Sequence, residues 1–250
     1  MRFVAIGVRV DNIMYLVYDD GYAISIDSYD PRIIEESLSC EFSKEFYKSE
    51  EINKIKEKTK KRKLIATLTT HSHFDHSNGD SFLKNLYPDI RQISGFYKER
   101  CFDGQKIQLR KIKIECIETK CHTQDSFCFY VNDKWLFTGD TVFFLGCGYF
   151  NDGTGSQMAE AFEKIKNRVD KKTLMLYGHD YRKGDTSFIK NIPKEILRSY
   201  DIPKHLEEKM FLFLEDEIKY NPFFRVLEEK GNKGENISKL RQAKNQFNKK

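Results

Sequence analysis

No stretch of about 18 apolar residues occurs in the sequence, so no helix is expected to cross a membrane. The start, Met1-Arg2-Phe3-Val4-Ala5-Ile6-Gly7, shows neither a secretory apolar core with a cleavage site nor an Arg/Ser-rich transit peptide. A soluble cytoplasmic protein is the expectation. Cysteine is sparse: Cys40, Cys101, Cys116, Cys121, Cys128 and Cys147 form no C-x-x-C pair and lack the density of a disulfide scaffold. They read as reduced, packed thiols. An excess of one charge is also missing from most of the chain. The net charge of +5 lies in residues 229 to 250, which hold seven Lys/Arg against two Glu, leaving 36 of each sign before them. Such a tail either draws in an anion or is a solvated end. At 250 residues the chain can bury a substantial core, as one large domain or one domain with a small appendage.

What is present centres on Thr69-Thr70-His71-Ser72-His73-Phe74-Asp75-His76-Ser77-Asn78-Gly79, directly after the apolar run Leu64-Ile65-Ala66-Thr67-Leu68. The run reads as a buried strand, and the loop after it places imidazoles and a carboxylate at a sheet edge. Neutral imidazole and carboxylate suit a borderline divalent metal, with water in any open position. The same pattern recurs along the chain. His122 follows Ile107 to Cys116, Asp140 ends the second strand of a hairpin (Phe127 to Val131, Lys134 to Thr138), and His179 follows Thr173 to Tyr177. Seven ligand-type residues on successive strand ends point to one site. His205, inside a helical stretch, reads as structural.

Elsewhere, Phe3 to Val10 and Ile13 to Tyr18 suggest two strands joined at Asp11-Asn12, and Tyr22 to Ile26 a third. Residues from Ile33 to about Lys63 read as helical and increasingly basic: either a solvated helix face or a nuclear-targeting or nucleic-acid patch. Asp80 to Tyr87 reads as a short helix closed by Pro88, and Ser156 to Asp170 as an amphipathic helix with a core stripe. Further helices are expected from Thr186 to Ser199, Pro203 to Lys219 and Ile237 to Phe247.

The stretch His71 to His76 resembles the H-x-H-x-D-H motif of the metallo-β-lactamase superfamily, which implies an α/β fold, a four-layer αββα sandwich with metals at one edge. The segments Cys121-His122-Thr123, Phe137 to Phe143, Gly146-Cys147-Gly148, Gly153-Thr154, Tyr177-Gly178-His179-Asp180-Tyr181, Tyr220 to Arg225 and Leu240 to Phe247 resemble the hydroxyacylglutathione hydrolase (glyoxalase II) family. Seven ligands exceed one tetrahedral zinc, and two metals sharing a carboxylate would use them all. The resemblance implies His71, His73 and His122 on one metal, Asp75, His76 and His179 on the other, and Asp140 between them. It implies two divalent ions, zinc with iron or manganese also fitting. Asp75 and Asp140 then have catalytic roles in holding a bridging hydroxide, the nucleophile.

The implied reaction is hydrolysis of S-2-hydroxyacylglutathione, in particular S-D-lactoylglutathione, to glutathione and a 2-hydroxy acid, the second step of methylglyoxal detoxification. Residues 1 to 181 would form the metal-binding catalytic domain and 182 to 250 a helical glutathione-binding domain. Tyr181, Arg241 and Lys244 are the implied thiol contacts, and Arg241 and Lys244 lie three apart on one helix face, able to bind carboxylates. Tyr149 and Asn151 occupy positions where the family carries a basic residue and often a tyrosine, so one cationic contact is missing, and Gln124-Asp125-Ser126 replaces its Ser-Gly-His after the histidine. The expected partner is the small thioester, with no nucleic acid, no membrane and a monomeric chain. Rival readings are a mononuclear iron persulfide dioxygenase of the same fold, a nuclease of the superfamily and a non-catalytic metal-holding protein.

Overall fold

The computed structural model describes residues 1–98, 100–198 and 200–249. Contacts divide the chain into two compact units, Met1–Cys101 and Phe102–Lys250, each containing one large sheet.

In the first unit, β1 (Arg2–Val8) and β2 (Asn12–Tyr18) pair antiparallel. β1 stops at Val8, short of the Val10 that the apolar pattern suggests, because Arg9 turns left-handed (φ 54°) and Val10 is 96% exposed. β3 (Tyr22–Ile26) pairs with β2, and α1 (Pro31–Ser37) follows. Asp30 caps α1 by accepting from the Arg32 and Ile33 amides, with Pro31 in the first turn, where no amide proton is needed. The remaining elements are β4 (Phe46–Lys48), α2 (Ser49–Ile52), β5 (Lys63–Thr69), α3 (Phe74–Ser77), α4 (Asp80–Leu86) and β6 (Arg91–Ser94). The sheet runs β4-β1-β2-β3-β5-β6. Its apolar residues, among them Val4, Ile6, Leu16, Ile34, Leu38, Tyr47, Ile52 and Leu83, form one buried cluster.

The segment from Ile33 to Lys63 is not one basic helix. Helix stops at Ser37, β4 pairs parallel with β1, and α2 is a single turn. Phe46 and Tyr47 are better placed on the sheet edge, where Tyr47 is buried, than on a helix that would expose them. The basic run is not uniformly solvated either. Arg62 has no exposed side-chain surface, lies over the Tyr18 ring, donates to the carbonyls of Asp19 and Cys40 at 2.7 and 2.8 Å, and pairs with Glu41 at 3.2 Å.

In the second unit, β7 (Lys106–Leu109), β8 (Ile112–Glu118), β9 (Phe127–Val131) and β10 (Trp135–Gly139) form an antiparallel meander. Asn132 and Asp133 are both left-handed (φ 54° and 53°), the backbone that a tight β9–β10 turn requires. A small hairpin, β11 (Val142–Phe143) and β12 (Gly146–Cys147), precedes α5 (Gly155–Arg168), and β13 (Leu174–Tyr177) joins β10 in parallel. The sheet order is β13-β10-β9-β8-β7.

The tail carries α6 (Arg182–Ile189), α7 (Lys204–Glu207), α8 (Leu214–Tyr220), α9 (Pro222–Arg225) and α10 (Lys233–Phe247). α6 starts earlier than expected and stops at Ile189, shortly before Pro193; Ser199 lies outside the described residues. The expected Pro203 to Lys219 helix is split because Phe211 to Phe213 run extended beside β13, where the Met175 amide donates to the Leu212 carbonyl at 2.8 Å. Among the described residues no helix is long and apolar enough to cross a membrane.

Arg62→Ala is expected to lower stability by about 3 kcal/mol, since it strips a buried cation network. Lys61→Ala, at a side chain half exposed, should change it by less than about 1 kcal/mol. Equilibrium urea unfolding of both variants checks the pair.

Candidate metal centre

Strand direction explains why the ligand-type residues sit at strand ends. In the first unit β3 and β5 are parallel, Ile26 opposite Leu68, so Asp27 and the Thr69–Gly79 loop leave the sheet at the same edge. In the second, β8 runs antiparallel to β9 and β9 to β10, while β10 and β13 are parallel. The C-terminal ends of β8, β10 and β13 therefore share an edge, and His122, Asp140 and His179 follow them.

The first unit's ligand set is held from behind by Asp27, which directly follows β3 and is not among the residues expected at the site. Asp27 is buried and left-handed (φ 51°). Its carboxylate accepts from the Thr70 amide and hydroxyl, both at 2.8 Å, and from His76 Nδ1 at 2.9 Å. Because the Thr70 hydroxyl donates to Asp27, His71 Nδ1, 3.1 Å from Thr70 Oγ1, must be the donor of that pair. Both His71 and His76 thus carry their proton on Nδ1 and present Nε2 as the acceptor. His71 Nε2 lies 3.0 Å from His73 Nδ1, close to the roughly 3.3 Å between two nitrogens on one tetrahedral zinc. Asn12 also went unrecognised: its Nδ2 donates to Asp75 Oδ2 at 2.9 Å and to the Asp75 carbonyl at 3.2 Å. The loop needs glycine at position 79, where a Cβ would stand 1.9 Å from the Ser28 carbonyl oxygen.

Below the loop, Asp80 is 2% exposed and accepts from Thr69 Oγ1 at 2.7 Å and from Tyr97 Oη. Burial pushes its carboxyl up to about 7, against the lowering effect of these hydroxyls.

In the second unit, His122 Nδ1 donates to the Tyr149 carbonyl at 3.0 Å, which again leaves Nε2 as the acceptor. His122 Nε2 and His179 Nε2 lie 3.5 and 3.4 Å from the same oxygen, Asp140 Oδ2. Tyr181 stacks on His179 (4.9 Å, 5°), and Phe143 meets both rings edge-on.

The side chains suited to hold a metal are His71, His73, Asp75 and His76 in the first unit and His122, Asp140 and His179 in the second, all seven expected from the sequence. The donor set fits a divalent cation. Imidazole nitrogens facing one another or a shared carboxylate oxygen, with tautomers fixed by outer hydrogen bonds, are the arrangement that metal-ligating histidines need.

Of the expected thiol contacts, Tyr181 and Tyr149 are 37% and 46% exposed, and Asn151 is exposed. Arg241 and Lys244 share a face of α10 as expected, but they are 3% and 4% exposed and form no solvated basic helix face. Lys244 pairs with Asp185, itself 1% exposed, while Arg241 donates to the Cys147 carbonyl at 2.6 Å and lies 4.5 Å from the Tyr149 ring centre. His205 is exposed on α7, away from any ligand role.

No family model matches the chain. A probable hydroxyacylglutathione hydrolase of Encephalitozoon cuniculi is 43% identical over 242 residues, covering 96% of this chain and 94% of the relative. A cytoplasmic hydroxyacylglutathione hydrolase of Arabidopsis thaliana is 30% identical, covering 86% and 84%. The mitochondrial enzyme of that name from Saccharomyces cerevisiae is 35% identical, covering 66% and 68%. Among solved structures, ETHE1 from Myxococcus xanthus superposes with a TM-score of 0.62 at 17% identity, covering 97% of both chains. The BLEG-1 B3 metallo-β-lactamase superposes with a TM-score of 0.60 at 14% identity, covering 89% and 99%. These structural likenesses establish the fold, the mixed α/β metallo-β-lactamase fold.

Asp80 gives a pH dependence whose sign is fixed. Its folded value lies above the 3.8 of an ordinary aspartate, so its contribution to stability is complete below about pH 4 and is lost as pH rises toward 7. Between pH 5 and 8 the wild type should lose about 2 to 3 kcal/mol relative to Asp80→Asn, read as the change in the gap between their urea unfolding free energies. Separately, Asp27→Ala should weaken zinc binding about 10- to 100-fold, measured by competition with a chromophoric chelator.

Proposed function

The chain belongs to the hydroxyacylglutathione hydrolase family, and from that premise we propose that it cleaves the thioester of S-2-hydroxyacylglutathione, S-D-lactoylglutathione in particular, releasing glutathione and a 2-hydroxy acid. The observation that carries the reading is the pair of ligand sets described above, together with a relative of this name that the chain matches over 94% of its length.

His71, His73 and His122 would hold one divalent ion and Asp75, His76 and His179 a second, with Asp140 shared; zinc suits this mixture, as do iron and manganese. When bound, such ions supply hydroxide at neutral pH and polarise the thioester carbonyl. The chain's own part is positional. Asp27 keeps the Nε2 acceptors of His71 and His76 turned outward, Asn12 holds the Asp75 carboxylate, and the Tyr149 carbonyl does for His122 what Asp27 does for His76. Asp75 and Asp140 would serve the reaction by placing their negative charge among the imidazoles that would hold the ions.

For the thiol we propose contacts from Tyr181, Tyr149 and Asn151, whose side chains reach solvent, with Arg241 and Lys244 supplying positive charge behind them. Asp185 offsets one of those two charges, so the cluster suits a single carboxylate. The helical segment 182 to 250 would then be the thiol-binding portion and 1 to 181 the catalytic one. In this reading the protein is a monomer; it acts in the cytoplasm, the compartment for which two relatives are named while a third is named mitochondrial.

The test is hydrolysis of S-D-lactoylglutathione with metal content measured on the same sample. Turnover with about two metals per chain, abolished by chelation and restored by zinc, is expected. Tyr181→Ala and Tyr149→Ala should raise KM several-fold with little change in kcat, since they remove binding common to ground and transition states. A single iron per chain with oxygen uptake on glutathione persulfide would overturn this reading in favour of the dioxygenase, and steeply salt-dependent RNA binding without thioester turnover would favour the nuclease.

A further inference from the structure

Between Asp140 and Tyr149 the chain makes the β11–β12 hairpin, with Leu145 left-handed at its tip (φ 50°). Two contacts make this hairpin a template for ligand side chains. Gly148 approaches Asp140 so closely that a Cβ would stand 1.8 Å from the Asp140 carbonyl oxygen. The Tyr149 carbonyl accepts from His122 Nδ1 at 3.0 Å. Any shift of the hairpin is therefore transmitted to both Asp140 and His122.

Each strand of this hairpin contributes only two residues to the pairing, too little to hold its own position. Three side chains of the tail grip three consecutive residues through the backbone. Glu217 Oε1 accepts from the Leu145 amide at 3.0 Å, Asn221 Nδ2 donates to the Gly146 carbonyl at 3.0 Å, and Arg241 Nη1 donates to the Cys147 carbonyl at 2.6 Å. Glu217 is the hub. Its Oε1 also accepts from Tyr177 Oη at 2.7 Å, and its Oε2 from Asn221 Nδ2 at 2.7 Å. Tyr177 ends β13, two residues before His179. Glu217 and Asn221 have no exposed surface, and Tyr177 has 1%.

We infer that Glu217, working through Tyr177 and Asn221, is a positioning residue for the metal ligands His122, Asp140 and His179, so that the helical tail sets metal affinity and turnover as well as thiol contact. This rests on the dinuclear reading above. Filling space would be better served by an apolar side chain, because a buried carboxylate carries a desolvation cost that its donors must offset. What the carboxylate adds is direction: its oxygens tie the hairpin tip, the end of β13 and the C-terminus of α8 to one point.

The experiment uses the full chain carrying Glu217→Gln, Glu217→Leu and Tyr177→Phe. It reads zinc affinity by chelator competition, hydrogen exchange at the Leu145 amide, and kcat and KM for S-D-lactoylglutathione. Tyr177→Phe and Glu217→Leu should bind zinc about tenfold or more weakly, expose the Leu145 amide and lower kcat at nearly constant KM. Glu217→Gln, whose amide oxygen still accepts from Leu145 and Tyr177 but whose amide nitrogen faces the Asn221 Nδ2 donor, should recover only part of the loss. If Glu217→Leu does not fold, Tyr177→Phe, which removes a single hydroxyl, still decides. Wild-type zinc affinity and kcat in Tyr177→Phe would overturn the inference alone, whereas a wild type that binds none of zinc, iron and manganese would overturn the dinuclear reading beneath it.

Discussion

A carboxylate survives in a protein interior only where donors converge on it, and Asp27 shows what that requirement can build. Its donors are the Thr70 amide, the Thr70 hydroxyl and His76 Nδ1. All belong to the loop after β5, so satisfying Asp27 and shaping the loop are the same event. The direction of two imidazoles follows from it through hydrogen-bond bookkeeping alone, since each donor used toward Asp27 decides which ring nitrogen remains an acceptor. The parallel pairing of β3 and β5 is what makes the encounter possible.

The second unit solves a similar problem with longer reach. Three strands deliver His122, Asp140 and His179 to one edge, but their side chains are trimmed by a small hairpin held by helices that arrive about 70 to 95 residues later in sequence. The tail is thus joined to the chemistry through backbone contacts. Arg241 illustrates the double use, donating to the Cys147 carbonyl while lying behind the Tyr149 ring.

The seven ligand candidates were legible because each sits directly after an apolar run, and both signals are local in sequence. Asp27, Asn12 and Glu217 were not, because their roles depend on which strand or turn lies beside them, and pairing is set by non-local contacts. The segment from Ile33 to Lys63 misled for a related reason. Lysines at helical spacing suggest a solvated helix, whereas the short strand Phe46–Lys48 forms only because β1 offers an edge, and Arg62 is buried only because carbonyls of Asp19 and Cys40 wait for it. Of the tail helices, Pro203 to Lys219 was drawn too long, since nothing near Leu212 announces that it pairs with β13, whereas Ile237 to Phe247 was drawn one turn too short.

All six cysteines are buried and outside any disulfide, and burial pushes the thiol of Cys121 up to about 12 and that of Cys147 higher still. Thiolate is the form that attacks a disulfide, so neither Cys121 nor Cys147 has a route into exchange at neutral pH. These two side chains, one next to His122 and one in the hairpin beside Asp140, are thereby held as unreactive thiols among the ligand residues.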